Sequence, residues 1–524
     1  MEFLKLKTIK DDYMDFINRE LIKIGCSHSQ VYFPILSMFP NNDNISVDKL
    51  SLNFCKVALN KQVSNEEDQD EYVKTIYHCD IIDNNNKKET LPVFIKIIPI
   101  LEPVQYISGD YDNNGHGGKY NEYGISTINN YNNTAYTEVF ANYLTSKLAE
   151  KNVCPLFPRF FGTFSSVINN FKYDSTDEWD DIICDAHFIN KVDNGEIVYQ
   201  FKKTEITEDM FEDISEELDI EELDIEEVNM DSNDGDSNDE DTDEDSNDED
   251  TDEDSNVEDT DEDSNVEDTD EDNGEDSNDE DSEIDDYYYI KWLGIKDYPV
   301  QLCLLEQIDE TFDELIENDK LNTEEEWLSI LFQIIFGLTI LQKEFKMVHN
   351  DLHCDNIMFS KTEEKYLYYK INSDYYKIPT FGRITKIIDF ARATYKLGNV
   401  IFFPNVFEED GDAEGQYTKL DGRPDWEEGD LQPNPSFDLC YLATTIYEYL
   451  PSDSLIYKML IDWTISDNGK PLLFDNSDFD LYVKLAKDCH NAVPNKQLNK
   501  LIFAEFKIKK EQIPENEMIY SVDI

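Results

Sequence analysis

The sequence is poor in glycine, in basic residues and in long apolar runs. Glycine accounts for 19 of 524 residues, and from Met1 to Lys96 the one glycine is Gly25. Lys and Arg number 44 against 117 Asp and Glu, which gives a net charge of −73. A field of this sign repels phosphate backbones and anionic lipids, so we expect no direct nucleic-acid partner and no membrane. The lack of about 18 uninterrupted apolar residues agrees with this expectation.

Cysteine pairs with the spacing of metal ligands are also missing. The nine cysteines are scattered without a CxxC pair, and their number is odd. This pattern is typical of reduced thiols in a cytosolic protein and does not indicate a zinc site. The first residues, MEFLKLK, carry charges inside their first apolar stretch, which is unlike a targeting segment. We therefore expect a cytoplasmic location.

Acidic residues are in excess, and one tract concentrates them. Residues 205–286 contain 46 Asp and Glu and no Lys or Arg. Four tandem nine-residue copies run from Asp236 to Glu271, DSNDEDTDE twice and then DSNVEDTDE twice. Units with one Val at most cannot bury a face by stacking, so we predict that these repeats are disordered. The tract is either a solvated spacer or a docking tail for a basic partner.

The sequence patterns differ on the two sides of this tract. Short β-type runs precede it, at Val73–Ile82, Leu91–Ile98 and Phe157–Phe164, with a helical stretch at Thr134–Leu148. After it, Val300–Glu306 indicates one more buried strand. A long amphipathic helix follows, with Thr323 and Glu326 as its capping box and apolar residues at three-to-four spacing from Trp327 to Leu341.

A strand-rich first part and a helix-rich second part predict an α+β fold. We expect a small β-rich lobe, a larger helical lobe and a ligand cleft between them. The predicted boundaries are 1–70 for an N-terminal extension of unclear role, 71–164 for the small lobe, 165–298 for an insertion that includes the acidic repeats, and 299–524 for a hinge and the large lobe.

A polar loop directly after the long helix carries the strongest chemical signal. It reads VHNDLHCDNIMF, and Asp351 and Asn356 lie five residues apart in it. Asp389 follows 38 residues after Asp351, at the end of an apolar run. Asn356 and Asp389 offer the hard oxygen ligands that Mg²⁺ prefers, and Asp351 could accept the proton of an attacking hydroxyl. These are the groups that phosphoryl transfer requires.

A cation for the phosphates is available in the first part of the chain. Lys96 lies alone inside the apolar strand pattern VFIKII. A buried lysine needs a counterion, and Glu138, near the start of the predicted helix 134–148, is the best candidate.

These motifs together resemble the eukaryotic protein-kinase family. HxDLxxxN at His349–Asn356, DFA at Asp389–Ala391 and VFIK ending at Lys96 occur in the family's order. LCLLEQI at Leu302–Ile308 is similar to the strand that enters the hinge. FDLCY, which begins at Phe437, is similar to the start of the central helix of the large lobe, where Asp438 would brace the catalytic loop.

The resemblance implies a serine/threonine-protein kinase that uses ATP and Mg²⁺. Lys96 paired with Glu138 would hold the phosphates, and Asp351 would be the catalytic carboxylate. Asn356 and Asp389 would bind the metal. The adenine would meet backbone groups at Glu306 and Ile308. An acidic cluster in the segment after Asp389, from Glu408 to Glu414, predicts a basic protein substrate.

Two features resemble particular groups within the kinase family. The stretch from Tyr368 to Gly382, leading into Asp389, is similar to the haspin-like branch of atypical kinases, which also lacks the usual Ala-Pro-Glu. The Asn- and Ile-rich composition and CPLFPRFFG at Cys154–Gly162 look like kinase-like proteins of giant DNA viruses. A viral protein would act in the host cytoplasm or in the virion.

Three departures from the family pattern leave other functions open. No Gly-rich phosphate loop is recognisable before Lys96, Asn350 replaces the usual arginine of His-Arg-Asp, and Ala391 replaces the glycine of Asp-Phe-Gly. One alternative is a catalytically silent pseudokinase that acts as a binding module. The other is a small-molecule kinase of the choline or aminoglycoside type, since His-Asn-Asp-Leu also resembles the loop of those enzymes. The sequence does not indicate an oligomeric state.

Overall fold

The computed structural model describes most of the chain outside the acidic tract. The described residues are 4, 6–40, 46–63, 74–83, 86–113, 118–205, 287–318, 320–408, 411–417, 433–474 and 478–524. Residues 202–290 form a unit of their own, of which 202–205 and 287–290 are described, and all other described residues belong to one compact unit. The acidic repeats lie outside the described residues, so their predicted disorder stays a prediction.

The described chain is a mixed α and β fold. The strands are β1 (Lys7–Thr8), β2 (Cys26–Gln30), β3 (Leu50–Ser51), β4 (Lys56–Gln62), β5 (Lys74–Ile82), β6 (Lys88–Pro99), β7 (Phe160–Asp174), β8 (Ile197–Glu205), β9 (Tyr287–Glu306), β10 (Glu310–Thr311), β11 (Ile357–Lys361), β12 (Tyr366–Ile371), β13 (Asp374–Pro379), β14 (Arg383–Ile387), β15 (Tyr395–Leu397), β16 (Val400–Phe402), β17 (Lys507–Ile508) and β18 (Ile519–Val522). The helices are α1 (Asp11–Leu21), α2 (Pro103–Ile107), α3 (Glu122–Asn129), α4 (Thr134–Glu150), α5 (Trp179–Ile183), α6 (Ala186–Asp193), α7 (Phe312–Glu317), α8 (Glu324–Phe345), α9 (Phe437–Ile446), α10 (Leu455–Trp463), α11 (Asp478–Asp488) and α12 (Pro494–Gln497).

One antiparallel sheet of seven strands organises the part before α7. Its order is β2-β7-β9-β6-β5-β4, and β8 pairs with β9 outside this path. Strands β5, β6, β7 and β9 and helix α4 confirm the predicted strands and helix of this part. Strand β7 ends ten residues later and β9 begins thirteen residues earlier than predicted, and the other bounds differ by three residues at most. The sheet also takes strands from 1–70 and from 165–298, although the domain boundaries themselves stay a prediction.

The alternation of side chains along β6 gives the sheet two unlike faces. Ile95 and Ile97 point into a hydrophobic cluster that includes α1 and the inner residues of β9. Ile98 belongs to a second, larger cluster that includes α4 and α8, and Phe94 packs against that cluster. Because successive residues of a strand point to opposite faces, Lys96 lies on the face of Phe94 and Ile98, towards α4.

Helix α8 is the core of the part that follows the sheet. It begins with the predicted capping box, in which Thr323 and Glu326 each bond the other's backbone N–H. By length and composition α8 could span a membrane, but most of it is buried inside the protein, as expected for a core helix. Beside it, β11 pairs with β14 in the three-stranded sheet β10-β11-β14, so the residues that follow β14 lie next to those that precede β11.

A second small sheet covers α8 and contains β18, which lies near residue 524. The hairpin β12–β13 is extended on one side by β17 and on the other by β18, which runs parallel to β12. Rings from this sheet pack on α8, where Phe332 and Phe336 contact the ring of Tyr369 with centroids 5.4 and 4.6 Å apart.

Candidate active site

Lys96, Glu138 and Asp389 meet at the centre of the candidate site. The Lys96 ammonium donates to Glu138 Oε1 at 2.6 Å and to Asp389 Oδ2 at 2.9 Å. Strand β6 supplies the lysine, α4 supplies the glutamate, and the residue after Ile388 supplies the aspartate. Three segments far apart in sequence therefore converge on one ammonium group, and the predicted ion pair between Lys96 and Glu138 is present.

Local packing explains why Glu138 points at this lysine. Helix α4 begins at Thr134, where the side chain of Asn133 accepts from the N–H of Ala135, and Glu138 follows one turn later. The Glu138 side chain is 2% exposed and that of Lys96 is 22% exposed. A buried carboxylate of this kind is tolerated because its charge is paired.

Burial and pairing set the charge states of these three groups. Burial raises the pKa of Glu138 to about 7, and the Lys96 ammonium offsets only part of that effect. Burial acts to lower the pKa of Lys96, but Asp389 and Glu138 outweigh it and raise this pKa above its ordinary value. Burial likewise acts to raise the pKa of Asp389, and Lys96 lowers it below its ordinary value. The site thus keeps a charged lysine beside an ionised Asp389.

The carboxylate of Asp438 holds the loop that carries Asp351 through hydrogen bonds to the loop backbone. This carboxylate is fully buried at the start of α9 and accepts from the backbone N–H of His349 at 3.0 Å and of Asn350 at 2.9 Å. Burial raises its pKa, while His349 and these backbone donors act to lower it. The contact has the form that the resemblance implied for Asp438.

His349 is a fully buried residue that connects two segments of the site. Its Nε2 lies 2.7 Å from the carbonyl oxygen of Ile388, and its ring packs against Phe390 with centroids 5.2 Å apart. The ring therefore fixes the distance between the loop of Asp351 and the segment of Asp389.

Asp351 and Asn356 lie within contact of each other in this loop. The Asn356 amide donates to the Asp351 carbonyl at 2.8 Å and lies 3.5 Å from Asp351 Oδ2. His353 Nε2 lies 2.9 Å from the same amide nitrogen, and His353 Nδ1 lies 3.3 Å from Asp355, so both residues form contacts within the loop.

The oxygens of Asn356 and Asp389 are chemically suited to a hard divalent cation. The N–H of Ile388 donates to the carbonyl of Asn356 at 3.1 Å, which brings the two predicted metal ligands to the same end of the β11–β14 pair. The Asn356 amide nitrogen is engaged by Asp351, and its side-chain oxygen accepts no hydrogen bond from the described residues. Asp389 has φ of 55°, a left-handed conformation that costs free energy in a non-glycine residue and is common at functional sites. The donor set therefore fits Mg²⁺.

Glu306 and Ile308, the residues predicted to meet an adenine, lie at and just after the end of β9. The Glu306 carboxylate accepts from the N–H of Arg159 at 3.1 Å and lies 3.9 Å from the Lys386 ammonium. The Ile308 carbonyl accepts from the side chain of Gln307 at 2.6 Å. Their cofactor-binding role stays a prediction.

Sequence reasoning assigned no role to Arg392, which contacts the predicted catalytic carboxylate. Its Nη1 lies 3.4 Å from Asp351 Oδ1, and its guanidinium lies 5.6 Å from the ring centroid of Tyr482. The Tyr482 and Tyr441 hydroxyls lie 2.5 Å apart, so a tyrosine pair flanks the loop. In the sequence, the one signal of a role for Arg392 was its position two residues after Phe390.

Asn350 also has partners that the sequence did not reveal. It is fully buried with φ of 65°, and its amide donates to the carbonyl of Arg392 at 2.9 Å and to Thr394 Oγ1 at 3.2 Å. Its side-chain oxygen accepts from the Tyr417 hydroxyl. A neutral amide in the usual arginine position thus ties the segment after Asp389 directly to the loop of Asp351.

Comparison with curated proteins finds local similarity to serine/threonine-protein kinases. The chain is 40% identical over 75 residues to a probable serine/threonine-protein kinase of Dictyostelium discoideum, which is 13% of this chain and 6% of that protein. It is 32% identical over 91 residues to mouse serine/threonine-protein kinase haspin, 17% of this chain and 12% of haspin. It is 31% identical over 94 residues to a putative serine/threonine-protein kinase of Acanthamoeba polyphaga mimivirus, 17% of this chain and 19% of that protein.

These similarities cover a small part of every protein compared. The chain spans less than a fifth of the length of each of these three relatives. No protein-family model matches the chain. Together, the similarities and the site support a kinase-like protein, with haspin and a viral kinase among its partial relatives.

Proposed function

We propose that this chain is an ATP-dependent kinase that transfers the γ-phosphate to a serine or threonine hydroxyl of a protein. One observation carries the proposal, namely that Lys96, Glu138 and Asp389 form a single hydrogen-bonded cluster beside the loop of Asp351. The strand order of the large sheet and the long core helix after it support a two-lobed kinase fold. The names of the partial relatives support the same reaction class.

Each residue of the cluster has a distinct task in this proposal. Asp389 and Asn356 would hold Mg²⁺, which neutralises charge on the phosphate oxygens. Lys96, oriented by Glu138, binds phosphate oxygens, and Asp351 orients the acceptor hydroxyl and takes up its proton. Backbone groups at Glu306 and Ile308 bind the adenine edge. Catalysis then rests on positioning and electrostatics, as is usual for phosphoryl transfer.

The acceptor is proposed to be a basic protein segment. Burial raises the pKa of Glu102, the backbone N–H groups of Gln105 and Val104 offset part of this, and the negative charges of Asp412 and Glu178 add to the rise. Asp412 belongs to the acidic cluster that follows Asp389. A patch of this sign favours lysine- and arginine-rich substrates through charge complementarity.

Replacement of the catalytic carboxylate tests the proposal. Asp351→Asn should lower transfer of radiolabelled phosphate from ATP to basic peptides by at least about a thousandfold, with the melting temperature nearly unchanged. Asp355→Asn is the matched control, because Asp355 lies in the same loop with its side chain 58% exposed. Full activity of Asp351→Asn would reject the assigned role.

A catalytically silent binding module is the second candidate, and one observation favours it. The connection between β4 and β5 precedes Lys96 in the chain and contains no glycine to approach a phosphate closely. A thermal shift with Mg-ATP together with no phosphate transfer to any peptide of a basic array would favour the silent module.

A further inference from the structure

A pocket beside the loop of Asp351 is lined by more basic than acidic side chains, unlike the rest of this acidic protein. It encloses about 600 Å³, a volume typical of small-molecule sites, and lies among the end of α8, the β15–β16 hairpin and residues 433–435 and 493–495. Three lysines line it, Lys343, Lys346 and Lys396, against one acidic side chain, Asp523. Since the whole chain has 117 acidic and 44 basic residues, this excess of lysine is a local reversal of charge.

Two of these lysines have ammonium groups that are available to a ligand. Lys343 donates to the backbone carbonyl of Asp523 at 3.1 Å. Lys346 and Lys396 are exposed, and neither forms an ion pair or side-chain hydrogen bond with any residue that the structure describes. A pair of unneutralised cations on one rim favours an anionic group.

Part of the pocket lining is apolar. Ile401 is 44% exposed there, beside the buried ring of Phe403. The apolar part of a ligand can therefore cover Ile401 and remove its side chain from water.

The same hairpin that lines the pocket packs against the helix of the active site. The Tyr395 hydroxyl donates to the carbonyl of Thr137 at 2.7 Å, one residue before Glu138. The rings of Phe140 and Phe402 lie 5.3 Å apart, which joins α4 to β16. Tyr395 therefore connects the lining of the pocket to the helix that carries Glu138, the partner of Lys96.

We propose that this pocket binds a small amphipathic anion, a carboxylate or phosphate on an apolar body, and that its occupancy tightens nucleotide binding. Lys346 and Lys396 bind the anionic group, and Ile401 and Phe403 contact the apolar body. The binding part stands on the pocket alone, whereas the coupling part rests on the proposed kinase function.

Fluorescence titration with 8-anilinonaphthalene-1-sulfonate tests the binding part, since this probe combines an anion with an aromatic body. The double variant Lys346→Glu/Lys396→Glu should weaken the probe at least about fivefold, and Ile401→Ser should weaken it as well. Lys365→Glu, an exposed lysine outside the lining, is the matched control and should leave the affinity unchanged. The neutral analogue N-phenyl-1-naphthylamine should bind more weakly than the anionic probe.

Two outcomes would overturn the proposed binding site. An unchanged affinity in the double variant would mean that the probe binds elsewhere. Equal binding of the neutral analogue would refute the anion requirement. Circular dichroism melts of all variants check that these exposed substitutions leave the protein folded.

Titration with Mg-ATP at increasing probe concentration tests the coupling part. The probe should tighten Mg-ATP binding, and Mg-ATP should tighten probe binding by the same factor, because coupling between two sites is reciprocal. Tyr395→Phe should keep probe binding and remove the coupling. Lysine-dependent probe binding without any Mg-ATP binding would overturn the kinase proposal and leave the pocket standing; binding of both without coupling would overturn the link through Tyr395.

Discussion

The guanidinium of Arg392 lies against the carboxylate of Asp351, with 3.4 Å between Nη1 and Oδ1. Arg392 is thereby a positioning residue for the proposed catalytic carboxylate. Arg392→Gln should lower kcat for peptide phosphorylation about tenfold and leave KM for ATP unchanged, because the carboxylate loses its orientation while the phosphate contacts remain. Steady-state kinetics at saturating and limiting ATP separate these two effects.

Charge and shape at Arg392 can be separated by two further variants. Arg392→Lys should recover part of the lost kcat, since the positive charge is kept. Tyr482→Leu removes the ring beside the guanidinium and should have a smaller effect than Arg392→Gln. A change in melting temperature alone, with normal kcat in Arg392→Gln, would assign the contact to stability instead.

The pairing of Lys96 with Glu138 predicts a pH-dependent stability defect. Lys96→Met leaves a buried carboxylate without its counterion, which should lower the free energy of unfolding by about 3–5 kcal/mol at pH 8. The loss should be smaller at pH 5.5, where Glu138 is protonated and therefore neutral. Denaturant unfolding at the two pH values measures the difference.

In the native protein, the direction in which stability changes with pH follows from the pKa of the same carboxyl group, that of Glu138. The pKa of Glu138 is raised from 4.5 to about 7, so the folded protein holds this proton to a higher pH than the unfolded chain does. This group alone therefore lowers stability as the pH rises from about 4.5 to about 7. The double variant Lys96→Met/Glu138→Gln should lose most of the pH dependence that Lys96→Met introduces; retention of the full dependence would locate its origin elsewhere.

Asp438 should matter through the backbone that it holds. Asp438→Asn replaces one acceptor oxygen by an NH₂ group that faces the backbone donors of His349 and Asn350, so one buried N–H loses its partner. We expect a loss of about 2–3 kcal/mol in stability together with a reduced kcat. Hydrogen exchange of the amides of residues 349 and 350 should become faster, and unchanged exchange would contradict the assigned contact.

The Tyr417 hydroxyl should order the segment after Asp389 through its hydrogen bond to Asn350, so that no phosphorylated residue is needed there. Tyr417→Phe removes the donor to Asn350 Oδ1 and should cost about 1–2 kcal/mol, since that oxygen stays buried. Limited proteolysis should then cut residues 392–397 faster than in the native protein. Tyr366→Phe, at a tyrosine that is 39% exposed in another sheet, is a control that should leave the cleavage rate unchanged.

Local sequence patterns predicted the elements that carry the site. A short apolar run predicted β6, three-to-four spacing behind a capping box predicted α8, and the lone lysine in that run predicted the pair with Glu138. These features depend on residues close in sequence or on a counterion that a buried charge must have. Such local requirements leave a clear trace in a single sequence.

The contacts that the sequence did not reveal are non-local and polar. Strand β2 reads CSHSQ, which has little apolar alternation, and it is ordered by pairing with β7 about 140 residues later. Asp351, which contacts Arg392, lies 41 residues away from it, and Tyr417, which donates to the Asn350 side chain, lies 67 residues away from Asn350. An arginine or an asparagine at these positions does not by itself indicate its partner. These contacts therefore became visible only in the folded structure.

Strand β18 has a consequence for how the chain reaches its native state during synthesis. Its residues Ile519–Val522 pair in parallel with β12, about 150 residues earlier, and they complete the small sheet that covers α8. A ribosome releases β12 long before β18, so the edge of β12 and the apolar surface of α8 stay partly uncovered until translation has passed Val522. Chaperone protection of nascent chains is therefore most needed in that interval.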